Sequence, residues 1–306
     1  MSVALRREPV RQTEPDGKDT VVSVRNVAKK FCKKLRRSMS YGIQDLAKNL
    51  VGIRPDSATL RMDEFWALRD ITFELHKGDV LGLIGVNGSG KTTLLRLLTG
   101  IFPPDMGEIR ITGRVGALIA LGTGFHPYFS GRENIYLNGA ILGLGRDELD
   151  AQFDEIVQFS EIGDFIDAPV ATYSSGMRVR LGFAVAMAMK PDLLLIDEVL
   201  AVGDLGFKVK CLNKINELME HAAVIFVSHS MQYVYRICNR VMVLHKGDIV
   251  HHGNDVQEGI DYYHSQFNLV KKKSVRQRKG NRIGHTSLSR GPESGAGYNA
   301  ADQLRR

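Results

Sequence analysis

No stretch of this 306-residue chain is apolar for long enough to cross a bilayer. The longest uncharged run of helical character, Leu181 to Met189, falls far short of the ~20 residues that a membrane helix needs. The amino-terminal MSVALRREPVRQTEPDGKD has no apolar segment between its charges and a cleavage site, which argues against a secretory leader and for residence in the cytosol. Cysteine is scarce: Cys32, Cys211 and Cys238 are odd in number, far apart and never in C-x-x-C, so neither a disulfide frame nor a zinc site of that kind is expected, and the three are read as reduced. There is no internal repeat. Hydrophobic residues at 43% and charged residues at 25% are ordinary for a globular protein, so a sizeable core is expected and disorder can only be local.

The net charge of +7 suggests a nucleic-acid partner until it is located. Lys271 to Arg306 carries a net +8, which leaves the rest of the chain at about −1 and excludes a basic nucleic-acid platform in the globular part. A second basic cluster, Lys29 to Arg54, has only Asp45 against it.

Four short apolar runs, Val80 to Ile84, Leu193 to Ile196, Val224 to Val227 and Val241 to Leu244, are continuous rather than alternating, as strands buried on both faces of a mainly parallel sheet should be. Helical segments separate them, which predicts an open α/β sheet with ligands at the carboxyl ends of its strands. Residues 1 to 20 are polar and aperiodic and are read as a mobile arm, and Val21 to Phe31 as a first strand with its exit. Over about 40 to 53, Ile43, Leu46 and Leu50 fall at helical spacing and predict a short amphipathic insertion helix, either lying on a membrane surface or simply solvated. Asn254-Asp-Val-Gln257 has the form of a capping box ahead of a last helix whose apolar stripe is Val256, Ile260, Tyr263 and Phe267. The Gly-, Ser- and Arg-rich residues 268 to 306 offer no core and are read as a disordered basic tail.

Gly85-Val86-Asn87-Gly88-Ser89-Gly90-Lys91-Thr92 matches G-x-x-x-x-G-K-[ST], directly after the strand ending at Ile84 and before the apolar helix that begins at Thr93. Glycines there let backbone N–H groups close around phosphate oxygens, and the helix start adds its positive dipole end. Lys91 is assigned to the β- and γ-phosphates of ATP and Thr92 to Mg²⁺. Leu193-Leu-Leu-Ile-Asp197-Glu198 is a buried strand ending in two carboxylates. Asp197 is placed to hold Mg²⁺ through water and Glu198, one residue on, to orient or deprotonate the attacking water, although Asp197 could instead cap the next turn.

Tyr173-Ser174-Ser175-Gly176-Met177, ahead of the helix Arg178 to Met189, resembles the signature motif of ABC nucleotide-binding domains. A Ser-Gly helix start alone says little, but its place between the P-loop and LLLIDE gives it weight. With Asp204 of Ala-Val-Gly-Asp and His229 of Val-Ser-His-Ser in the same order as in that family, the resemblance covers about Val21 to Phe267. The phrases FWALRD, GRENI, YSSGMR and DEVLAVGD are similar to the ATPases that export O-antigen, capsular polysaccharide and teichoic acid. This implies a P-loop α/β fold with a mainly parallel sheet and a helical subdomain over about 131 to 189. It also implies a homodimer of ATPase subunits on the cytoplasmic face of the inner membrane, bound to two copies of an integral membrane permease and moving a lipid-linked polysaccharide. The resemblance makes Ser174, Ser175 and Gly176 a phosphate site acting in trans on the neighbour's ATP, Asp204 part of the D-loop, His229 the switch for the γ-phosphate and Phe31 the ring that stacks on adenine, with Phe65 and Trp66 as competitors. It points to Asp164 to Pro169 as a contact with the permease. An ABC ATPase for another substrate, a soluble ABC ATPase acting on ribosomes or DNA and a plain nucleotide-binding regulator are the rival readings. The ribosome or DNA enzymes usually carry two cassettes or a long coiled coil, and a regulator would not need Glu198 and His229.

Two departures stand out. Many relatives carry a glutamine that reaches Mg²⁺ from the loop before the helical subdomain, whereas Gly116-Ala-Leu-Ile-Ala-Leu-Gly122 has no such side chain, so a backbone group, water or another residue must take its place. Some O-antigen ATPases also carry a carbohydrate-binding sandwich of about a hundred residues. Only the basic tail stands in that position here, so recognition of the glycan end is not expected of this chain.

Overall fold

The computed structural model describes residues 20–50, 52, 59–118, 124–197 and 205–267. Most of the expected arm, the tail from 268 on, Glu198, Asp204 and the last part of the Gly116–Gly122 loop lie outside the described residues. The chain divides into two units, Met1–Tyr263 and His264–Arg306, and of the second only 264–267 are described, as helix.

Two sheets carry the first unit. In the antiparallel one, β1 (Thr20–Cys32) lies between β2 (Glu64–His76) and β4 (Met106–Ile111). The other runs in the order β5 (Val115–Leu118), β6 (Leu193–Ile196), β7 (Ala223–Val227), β3 (Val80–Gly85), β8 (Arg240–His245) and β9 (Asp248–Gly253). Every neighbour in it is parallel except β8 with β9. Strands β3, β6 and β7 are buried at every position, which is why their sequences are continuous apolar runs. Helix α2 (Lys91–Leu98) follows β3, α6 (Leu205–Met219) lies between β6 and β7, and α7 (Met231–Ile237) between β7 and β8. Gly85, Asp197 and Ser228-His229 therefore all leave the carboxyl edge of one sheet.

The helices α3 (Gly131–Ile141), α4 (Arg146–Ser160) and α5 (Ser175–Ala188), with two 3₁₀ turns at Gly163–Asp167 and Val170–Thr172, enclose a second apolar core around Ile135, Leu149, Ile156 and Leu181. The Gly131-Arg-Glu-Asn-Ile135 phrase accounts for the entry into it. Glu133 and Ser130 form a capping box at the start of α3. Asn134, fully buried, ties down the preceding loop by accepting from the His126 N–H and donating to the carbonyls of His126, Phe129 and Ser130. Gly131 leaves room for Tyr173, whose hydroxyl donates to the Phe165 carbonyl at 2.5 Å. A Cβ at Gly131 would stand 2.2 Å from that hydroxyl. Gly131→Ala should therefore cost about 1–3 kcal/mol, as overpacking does. Adding Tyr173→Phe, which removes the clashing oxygen, should return part of the loss in thermal unfolding, and equal melting of parent and Gly131→Ala would contradict the packing.

The insertion helix α1 spans Leu35–Leu50, earlier at both ends than the 40 to 53 expected from its apolar spacing. The basic run beginning at Lys33 enters its first turn because Arg37 and Lys34 both pair with Asp63 on the hairpin that follows. Tyr41 donates to the Met62 carbonyl at 3.2 Å, and Asp45 accepts from Arg61 at 2.5 Å. The helix is thus tethered by its polar side. Leu35, Met39, Ile43, Leu46 and Leu50, which share the other side, are 61–81% exposed, so most of the roughly 1.5–3 kcal/mol that full burial of each would yield is unrealised.

At the far end the last helix, α8 (256–267), starts one residue later than the expected box. The Asp255 carboxylate, not Asn254, accepts from the Glu258 N–H three residues on, and a charged acceptor is the stronger cap. Val256 and Ile260 are buried. Cys211 and Cys238 are also buried, and loss of solvation pushes each thiol up to about 12, so neither carries useful thiolate at neutral pH.

Candidate functional site

A cavity of about 620 Å³ opens at the carboxyl edge of the parallel sheet. Asn87, Gly88, Ser89, Gly90, Lys91, Thr92 and Thr93 form its floor, Asp197 and His229 one side, and Phe31, Phe65 and Trp66 the mouth. Residues from separate parts of the chain converge here because Asn87–Thr93, Asp197 and His229 follow strands of the parallel sheet, while Phe31 lies at the end of β1 and Phe65 and Trp66 at the start of β2.

The loop between β3 and α2 is shaped by backbone conformations that glycine tolerates. Gly90 caps α2 at φ 113°, and a Cβ there would meet Leu68 and the Ala67 carbonyl at under 3 Å. The Lys91 ammonium donates to the carbonyls of Gly85 at 2.7 Å and Val86 at 3.2 Å, so the loop wraps its own lysine. Ser89 Oγ is buried and makes no hydrogen bond among the described residues. An anion of phosphate size fits this floor: Lys91 can exchange two carbonyl partners for phosphate oxygens, and the first turn of α2 presents N–H groups with the positive end of its dipole. Thr92 and Asp197 supply hydroxyl and carboxylate oxygens, hard donors of the kind Mg²⁺ takes. Among the described residues no three His, Cys, Asp or Glu side chains converge on a metal position. An ion held here would draw its other ligands from phosphate and water.

Phe31 is half-exposed, 6.4 Å from Phe65 and edge-on to Phe102 at 5.6 Å, while Lys29 lies over both Phe31 and Phe102. All three candidate rings, Phe31, Phe65 and Trp66, reach the same mouth.

Lys246 also lines the cavity, and sequence reasoning missed it because it belongs to no motif. It sits at φ 49° in the β8–β9 turn. There the Gly247 N–H donates to the Ser89 carbonyl and the Gly247 carbonyl accepts from the Arg69 N–H, while Arg69 forms a two-pronged pair with Asp248. This turn buttresses the phosphate floor from outside.

Ser174, Ser175 and Gly176 do not line this cavity. They begin α5, where Ser174 Oγ accepts from the Met177 N–H at 3.2 Å, and Ser174 and Ser175 are exposed. Ser174 and Ser175 thus stand exposed at the start of a 14-residue helix, the end that carries the positive side of its dipole.

Residues 68–201 match the ABC transporter family model. The chain is 44% identical over 227 residues to the O-antigen export system ATP-binding protein RfbB of Klebsiella pneumoniae, covering 73% of this chain and 89% of that one. It is 44% identical over 215 residues to the ABC transporter protein AbcA of Aeromonas salmonicida, 70% of each chain. It is 41% identical over 226 residues to the teichoic acids export ATP-binding protein TagH of Listeria innocua, 72% of this chain and 67% of that one. Among solved structures, the ATP-binding subunit of an ABC transporter has the same fold, with a TM-score of 0.62 at 20% identity over 82% of this chain and 94% of that one. So does a dimeric ATP-binding cassette in a post-hydrolysis state with ADP and Pi, with a TM-score of 0.58 at 19% identity over 76% and 98%. With a P-loop, a buried strand ending in Asp197 and His229 converging on one cavity, the chain belongs to the ABC transporter family as an ATP-binding subunit, in the branch that holds the O-antigen and teichoic acid export proteins.

Proposed function

We propose that this chain hydrolyses ATP to drive export of a lipid-linked polysaccharide, as one of two ATPase subunits held against two copies of an integral membrane permease on the cytoplasmic face of the inner membrane. The observation that carries the reading is the single cavity in which Lys91, Thr92, Asp197, His229 and an aromatic mouth meet, on a chain so similar to export ATP-binding proteins. In this reading Lys91 leaves the carbonyls of Gly85 and Val86 to hold the β- and γ-phosphates, and an aromatic among Phe31, Phe65 and Trp66 takes the base. Thr92 and Asp197 would hold Mg²⁺, which would supply positive charge against the phosphates. Glu198 orients the attacking water and accepts its proton, and His229 meets the γ-phosphate. Ser174, Ser175 and Gly176 cover the ATP of the opposite subunit, and Asp204 belongs to the D-loop, so nucleotide binding closes the pair and loss of phosphate opens it.

The exposed apolar side of α1 supports a place at the membrane. No described helix is long and apolar enough to cross one, but α1 offers five exposed apolar side chains, with Lys33 and Arg36 exposed at its start. Basic residues at an anionic surface gain ~1 kcal/mol each. Solubilised membranes of the host should yield the tagged chain with an integral membrane protein in equal amount. Ile43→Glu with Leu46→Glu should shift it toward the soluble fraction, and Lys91→Ala cells should retain glycan on its lipid inside. A chain that purifies alone from the soluble fraction, with surface glycan unchanged in Lys91→Ala cells, overturns the proposal.

A further inference from the structure

Helix α4 ends at Glu161, which has a left-handed backbone at φ 55°. Glycine is the default residue at such a helix stop, because a side chain there costs conformational energy. The glutamate occupying it bridges two cations. One carboxylate oxygen accepts from Arg180 of α5 at 3.0 Å and the other from Lys210 of α6 at 3.0 Å. The Lys210 ammonium also reaches the Phe159 carbonyl at 3.0 Å in the last turn of α4 and lies 4.7 Å from the centre of the Phe159 ring. Beneath the charges, Phe159 of α4, Phe183 of α5 and Phe207 of α6 form a cluster with ring centres 5.6–6.2 Å apart, and Arg180 covers the Phe207 ring. Three helices are joined at one point.

Those helices have different duties. Helix α5 begins with Ser175 and is capped by Ser174, whereas α6 is the crossover between β6 and β7 of the sheet that carries the P-loop. Their relative position sets the distance between a subunit's own ATP floor and the helix start it offers outward. The glutamate is about half-exposed while Arg180 and Lys210 are 21% and 35% exposed, so the two pairs are partly screened by solvent and contribute only modestly to stability.

We infer that Glu161 is a positioning residue: by clamping Arg180 of α5 to Lys210 of α6 it holds the signature end of α5 in register with the P-loop sheet, so that both surfaces of a subunit meet their nucleotides in the closed pair. The inference rests on the head-to-tail reading proposed above.

Glu161→Gly separates this role from a structural one, since glycine suits the φ and the aromatic cluster and the Lys210 cap on Phe159 remain. The variant should melt at the parent temperature or above and bind a fluorescent ATP analogue with parent affinity. ATP-dependent dimer closure should weaken by roughly tenfold, and kcat should fall while KM for ATP holds. Glu161→Gln, which keeps one acceptor oxygen, should recover part of the closure. Parent closure and kcat in a stable Glu161→Gly protein overturn the clamp. Ser174→Arg, measured alongside, identifies which idea has failed: if it abolishes closure while Glu161→Gly does not, the clamp alone is wrong. If neither variant affects closure, the head-to-tail reading falls and the clamp with it.

Discussion

A Glu198→Gln subunit should bind ATP as the parent does and hydrolyse it roughly 10² to 10⁴ times more slowly, the range seen when a general base is lost. Glutamine keeps the size of the side chain and its capacity to touch water but cannot take the proton. Lys91→Ala should act earlier. Its ammonium donates to the Gly85 and Val86 carbonyls, and without it neither that wrapped loop nor the contact to β- and γ-phosphates can form, so nucleotide affinity itself should drop. Measuring affinity with a fluorescent nucleotide and turnover by phosphate release separates the two effects. Parent turnover in Glu198→Gln would remove Glu198 from the role given to it.

Mixed pairs carry the second large effect. Ser174→Arg and Lys91→Ala homodimers should both be inactive, the first because an arginine blocks the start of α5 and the second because no ATP is held. When the two are combined, some pairs place the damaged P-loop against the damaged helix start, and the other site is assembled from intact parts. That site should recover ATP-dependent closure, read by crosslinking with an ATP analogue, and should recover hydrolysis if one site fires alone. The expectation follows from the placement of Ser174, Ser175 and Gly176 on an exposed helix start outside their own subunit's cavity. Absence of closure in mixed pairs of well-folded variants would contradict action in trans.

Much of the site was legible because its chemistry is local in the chain. Gly85 to Thr92 encode within eight residues the loop that wraps Lys91, and the apolar run Leu193 to Ile196 announces both a buried strand and the carboxylate that follows it. Continuous apolar runs likewise predicted the parallel sheet, since burial on both faces demands them. Local signals faltered where the deciding partner was distant or the cap was ambiguous. The apolar spacing of α1 is the same whether the helix starts at 35 or 40, and pairing with Asp63 settles it. Asn254 and Asp255 both suit a cap, and only the geometry of the Glu258 N–H chooses Asp255.

By itself, then, the sequence determined the family, the buried strands of the parallel sheet and the P-loop that follows β3, because each depends on residue types at short, regular spacing. Tertiary structure alone decided that Lys246 joins the cavity through a turn bonded to Ser89, that α1 is held by its polar side with its apolar side outward, and that Glu161 links α5 to α6. In each case the contact joins residues far apart in the chain, as when Arg69 grips Asp248 179 positions away, and no local pattern records which distant side chain the folded backbone will bring near.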